Sequence, residues 1–118
     1  MSRDPASRTE LLQGTLDLLI LRTPQLGPAH GHAIGKYIQR TSEDALKVET
    51  GSLYPALHRL EGYGWVAALW ELSAKRKRAK YYRLTAAGSR QLASEQSKWA
   101  KLSRAIGLVL KPPNQEPA

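Results

Sequence analysis

Apolar residues along this chain fall into blocks whose spacing changes from helical to strand-like and back. Leu11, Leu12, Leu16, Leu18, Leu19, Ile20 and Leu21 cover more than one face of a first helix, so that helix is expected to be buried on several sides. Ser7 and Glu10 have the spacing of a capping box and are expected to open it. Pro24 is expected to close it near Thr23, because a residue that precedes proline avoids the α region. Residues 26–31 read as a turn. Ile34, Tyr37 and Ile38 then give a second helix over 32–41. A polar connection over 42–49 follows, in which Leu46 and Val48 suggest a short strand. Leu53, Leu57 and Leu60 mark the core face of a third helix that starts at Thr50 or Gly51 and stops at Gly62 and Gly64. Pro55 is tolerable there because it lies near the first turn.

The period shortens after that helix. Residues 65–71 and 80–84 read as the two strands of a hairpin, rich in the aromatic residues that strands favour. Thr85 is the expected N-cap of a last, long helix. On it Leu92, Trp99, Leu102, Ile106 and Val109 follow the a and d positions of a heptad, with Glu95 as the polar exception, until Pro112 and Pro113 stop it. Such a stripe is a helix-pairing seam. With Leu12, Leu16 and Leu19 of the first helix it forms the expected dimer surface. The order helix, helix, helix, strand, basic loop, strand, helix describes a mainly α fold with a small β-hairpin: a winged helix-turn-helix plus a C-terminal dimerisation helix. The expected organisation is a flexible arm over 1–8, the winged domain over 9–84, the dimerisation helix over 85–111 and a disordered tail over 112–118.

On a helical wheel with Leu53, Leu57 and Leu60 turned inward, Gly51, Pro55, His58, Arg59 and Gly62 face outward, with Ser52 and Tyr54 on the flanks. A helix that enters the major groove needs small residues at its leading end and hydrogen-bonding groups that reach phosphates and base edges. Gly51, Ser52, Tyr54 and His58 meet that need, while Arg59 has the alternative of pairing with a nearby acid. From Lys75 to Arg83 six of nine residues are Lys or Arg. Lys75, Arg76, Lys77 and Arg78, joined by Lys80, would neutralise phosphates as a wing and release counterions.

Charge extends this picture. The 118 residues carry 18 Lys and Arg against 10 Asp and Glu, a formal net charge of +8, which favours an anionic partner. With no Cys there is no disulfide framework, thiol nucleophile or cysteine-bound zinc, as suits a reducing compartment. No apolar run approaches the ~20 residues of a membrane span, and Met1 to Glu10 lacks the character of a signal peptide, so a cytoplasmic location is expected. No cofactor is expected.

Two segments are recognisable as text. Gly51-Ser52-Leu53-Tyr54-Pro55-Ala56-Leu57-His58-Arg59-Leu60-Glu61 resembles the recognition-helix signature of the PadR family of bacterial transcriptional regulators. Arg78-Ala79-Lys80-Tyr81-Tyr82-Arg83-Leu84-Thr85-Ala86-Ala87-Gly88 resembles that family's second wing strand and the start of its C-terminal helix. Gly27-Pro28-Ala29-His30-Gly31-His32, followed by Ile34, is similar to the approach to its second helix. The resemblance spans about residues 9–110. It implies a homodimer paired through its first and last helices, typically a repressor, with DNA contacts at Ser52, Tyr54, Pro55 and the basic wing. It is to the short-tailed branch, some of whose members hold flat aromatic or cationic molecules beside a Trp on the last helix. Trp99 stands at a comparable place, either as a ligand platform or as a large residue filling the seam. Pro24 and His32 depart from the family pattern.

An enzyme is the weakest reading. His30 and His32 have no accompanying ligand cluster, and no phosphate loop or nucleophile elbow is present. A winged-helix interaction module without DNA binding is the main alternative, against which the basic wing argues. RNA binding lacks the aromatic sheet face or clamp loop of the common RNA modules.

Overall fold

A computed structural model of the chain describes the backbone of residues 5–72 and 74–113, with side chains from Gly14 onward. Four helices and a three-stranded antiparallel sheet run in the order α1 (Pro5–Gln25), β1 (Ala29–His30), α2 (Gly31–Thr41), α3 (Thr50–Gly62), β2 (Val66–Leu72), β3 (Arg78–Leu84) and α4 (Ala86–Leu110). This is a winged helix with an added C-terminal helix. The first four residues of the expected arm, and residues 114–118 of the expected tail, lie outside the described residues.

The core forms where the inward stripes of α2 and α3 meet α1 and the base of the hairpin. Ile20, Leu21, Ile34, Ile38, Leu53, Ala56, Leu57, Leu60, Val66, Tyr82 and Leu92 compose it. All three leucines of the α3 stripe are buried, so the outward set of that helix is left on the surface.

Helix α1 departs from expectation at both ends. It is already formed at Pro5, the first described residue, so Ser7 lies inside the helix and residues 5–8 are helical. It also runs through Pro24 to Gln25. A proline in the last turn forfeits one backbone bond. Thr23 Oγ1 donates to the Leu19 carbonyl at 3.4 Å, and the Leu26 and Gly27 amides close the turn onto the Thr23 and Pro24 carbonyls. Pro24 is itself buried, so core packing overrides the local preference. Gly27 then turns the chain at φ +146°, a conformation that side chains disfavour.

Residues 29–30, expected within a turn, form β1. Ala29 pairs with Tyr82 and His30 with Tyr81, which makes β3 the central strand. Two residues are too few for a period to be visible in the sequence. Leu46 and Val48 make no strand. Glu43 and Asp44 adopt left-handed φ values of 55° and 66°, and the Ser42 hydroxyl takes up the Leu46 amide.

The joint between hairpin and last helix explains the Leu84-to-Gly88 motif. Thr85 Oγ1 accepts from the Gly88 amide at 3.0 Å, capping α4, and donates to the Gly64 carbonyl at 2.6 Å. The Thr85 amide donates to the Trp65 carbonyl. A Cβ on Gly88 would stand 1.9 Å from that carbonyl oxygen, so only glycine lets the helix start this close to the loop that ends α3.

The a/d stripe of α4 divides in two. Leu92, read as a seam residue, is fully buried inside this chain and belongs to its own core, a correction that follows from the first turns of α4 packing on α1. Glu95, the polar exception, faces Asp17 of α1 closely enough to raise its pKa. Past that point the helix leaves the core. Trp99, Leu102, Ile106 and Val109 are all exposed. Leu16 and Leu19 are partly buried against the core, and Leu12 lies outside the residues whose side chains are described.

Candidate nucleic-acid interface

Burial of Leu53, Ala56, Leu57 and Leu60 fixes the roll of α3, and the rest of the helix follows from it. Gly51, Ser52, Tyr54, Pro55 and His58 are exposed. Gly51 has open space around it, so the leading end of the helix is unobstructed. Tyr54 is held by its neighbour across the turn. A Cβ on Gly31 would fall 2.6 Å from the Tyr54 ring, so the missing side chain is what seats the tyrosine against the start of α2. The ring is thus partly packed while about half of the residue faces solvent.

Two ion pairs set the helix against its surroundings. Arg59 is half-buried and donates to Asp17 of α1 at 2.5 Å, so of its two expected roles the structure displays the intramolecular one. Burial raises the Asp17 pKa from its ordinary value, while Arg59 pulls it down and Glu95 raises it. In the same last turn of the helix Glu61 accepts from Lys80 of β3 at 3.1 Å. This bond holds the Lys80 pKa above its usual value. Lys80 also lies 5.5 Å from the centre of the Tyr82 ring. Burial pushes the Tyr82 hydroxyl pKa up, so it stays protonated.

The strands pair over a longer stretch than the sequence suggests. Register runs from Val66 with Leu84 to Leu72 with Arg78, so Arg78, expected in the connection, belongs to β3 together with Lys80. Lys75, Arg76 and Lys77 remain in the connection, which turns at Arg76 with φ 61°. A groove of 630 Å³ separates the hairpin from the outer side of α3; it is lined by Tyr54 and His58 of α3, by Trp70, Ala79, Lys80 and Tyr82 of the hairpin, and by His30, Gly31 and His32. The outer side of α3 and the hairpin therefore border one groove.

His30 and His32 stack at 6.3 Å between ring centres, and His30 Nδ1 accepts from the Ala33 amide, so His30 serves as the N-cap of α2. Trp70, Gly31 and the ion-pair partner Asp17 were not among the expected site residues. No local pattern marks them, because each matters through a neighbour distant in sequence.

A family model described as the transcriptional regulator PadR-like family matches residues 18–94. The chain belongs to this family. PadR family members are transcriptional regulators and not enzymes, and the winged helix built here is theirs. Among solved structures, the chain is similar to a PadR family transcriptional regulator of Eggerthella lenta, with 33% identity, 90% of each chain covered and a TM-score of 0.71. It is also similar to a transcriptional regulator of Clostridium thermocellum, with 25% identity, 86% of this chain and 99% of that chain covered, and a TM-score of 0.78. An uncharacterised protein of Lysinibacillus sphaericus is 26% identical over 103 residues, which is 87% of this chain and 94% of that protein. Among the described residues no helix is long and apolar enough to cross a membrane.

Proposed function

We propose that this PadR-family regulator is a cytoplasmic homodimer that binds a pseudo-palindromic operator in double-stranded DNA and represses transcription. The observation that supports this best is the shared surface: the outer side of α3 at Tyr54 and His58, and the hairpin at Trp70 and Lys80, flank one groove. A recognition helix in the major groove and a basic hairpin along the adjacent strand would use both sides at once. Gly51, Ser52, Tyr54, Pro55 and His58 are the base-side contacts of this reading, and Lys75, Arg76, Lys77 and Arg78 the phosphate contacts. Lys80 shares its charge with Glu61, and Arg59 with Asp17, so these two act mainly by fixing the helix and the wing.

Pairing would use the outer half of α4. Trp99, Leu102, Ile106 and Val109 run along it exposed, and burying a large apolar side chain contributes about 1.5–3 kcal/mol. Leu16 and Leu19 would flank that contact, with Leu12 beyond them. Two-fold symmetry would then set the reading helices roughly 34–36 Å apart, one turn of duplex. Trp99, half exposed, offers a platform for a small flat aromatic effector. Such a molecule would release the operator only by binding one spacing of the reading helices better than the other.

Selection of bound duplexes from a random pool tests the reading. The expected result is a motif with two inverted half-sites about one turn apart; enrichment of an unrelated or asymmetric site would overturn the dimeric part. Replacing Lys75, Arg76, Lys77 and Arg78 together with Ala should weaken binding to every duplex and flatten its salt dependence, because fewer counterions are released. An unaltered slope would refute the wing's part.

A further inference from the structure

The hairpin face that borders the groove has an order that the basic wing alone does not explain. In an antiparallel pair, residues opposite each other project to the same side. Trp70 is opposite Lys80, and Leu72 is opposite Arg78. One face of the hairpin thus carries an apolar row on β2 beside a cationic row on β3. The two apolar residues are well out of the core, Trp70 58% exposed and Leu72 71% exposed. The Arg78 guanidinium lies 5.0 Å from the centre of the Trp70 ring, so the rows touch. Glu71, between Trp70 and Leu72 on β2, projects to the other face.

Resting on the DNA-binding reading above, we infer that the groove between α3 and the hairpin seats the one sugar–phosphate strand that separates the major groove from the neighbouring minor groove, with Trp70 and Leu72 packed on its deoxyribose rings and Arg78 on its phosphates. The position requires such a strand. When α3 occupies the major groove and the hairpin reaches the next groove, a single backbone must pass between them. The chemistry matches its repeat. A sugar–phosphate strand alternates apolar C–H surface with anionic oxygens, and this face sets an apolar row against a cationic one. Tyr54 and His58 close the groove from the α3 side and add hydrogen-bonding groups to it. Lys80, held by Glu61, keeps the wing at a fixed distance from the helix and so keeps the groove open.

Binding of the full chain to a mixed-sequence duplex, followed by fluorescence anisotropy over a range of salt concentrations, tests this. Trp70→Ala should lower affinity about tenfold at every salt concentration and leave the slope of log affinity against log salt as in the wild type, because no charge is lost. Arg78→Ala should instead reduce that slope by about one contact. Trp70→Phe should restore most of the loss. Since Trp70 lies on the surface, circular dichroism should show the fold unchanged in each variant. Wild-type affinity for Trp70→Ala, with Arg78→Ala still weakened, would overturn the seat and leave the DNA-binding reading standing. A reduced slope for Trp70→Ala would show that the ring only holds Arg78 in place, and would overturn the sugar contact. Unchanged DNA binding by Trp70→Ala together with an altered sedimentation coefficient would assign the row to a protein contact instead. Absence of duplex binding by the wild type would remove both readings.

Discussion

Replacing Arg59 with alanine separates two jobs that one arginine on a recognition helix can have. The guanidinium donates to Asp17, and the two side chains are 27% and 21% exposed, so the pair is neither a surface pair nor a fully buried one. Surface pairs contribute about 0–1 kcal/mol, and breaking a buried pair costs about 3–5 kcal/mol. An intermediate loss of about 2 kcal/mol is expected here. For a chain of this length that corresponds to a fall in Tm of about 8 °C. The cost falls on Asp17. Without Arg59, burial and the Glu95 charge remain, both of which raise its pKa, and nothing remains among the named causes to lower it.

The pH dependence follows from that direction. A carboxyl whose folded pKa lies above its unfolded value binds its proton more tightly in the folded state. Its favourable contribution is complete below the unfolded pKa and is lost as pH rises through the raised folded value. In Arg59→Ala that rise is larger than in the wild type. The stability deficit should therefore be greatest at neutral pH and narrow as pH falls into the carboxyl range. Thermal melts at neutral pH and at mildly acidic pH measure this, and Asp17→Asn in the Arg59→Ala background should recover part of the loss. The salt slope of DNA binding should be nearly unchanged. An unaltered Tm combined with a slope lowered by about one would refute the reasoning, because Arg59 would then be serving a phosphate.

Gly88→Ala should destabilise the chain by about 3 kcal/mol, seen as a lower denaturation midpoint, since its Cβ would collide with the Trp65 carbonyl; a midpoint within error of wild type would contradict the packing at that joint. Tyr54→Ala should reduce operator affinity about tenfold or more while leaving the dimer intact by sedimentation, and equal affinity would remove Tyr54 from the reading face. Ile106→Glu places a charge on the exposed stripe of α4 and should convert dimer to monomer; a dimer that persists would move the interface elsewhere.

The local elements were readable because their signals are local. The Leu53, Leu57 and Leu60 stripe fixed both the existence and the roll of α3, and with them the exposure of Gly51, Ser52 and His58. Thr85 announced the start of α4, and the aromatic-rich run before it announced β3. Where tertiary contacts outweighed local preference, the expected boundaries failed. Pro24 stays within α1 because it is packed there, and β1 exists only because β3 lies beside it.

The sequence by itself determined the helix faces, the strand chemistry, the cationic hairpin and the family, since these depend on residue type and short-range period. Only the tertiary structure decided which groups answer one another. It gave Arg59 to Asp17 and Lys80 to Glu61, drew Leu92 into the chain's own core, and set Trp70 across a groove from Tyr54 and His58. Periodicity records which way a side chain points along its own element, whereas the partner it meets depends on how distant elements pack, and that is written in no single segment of the chain.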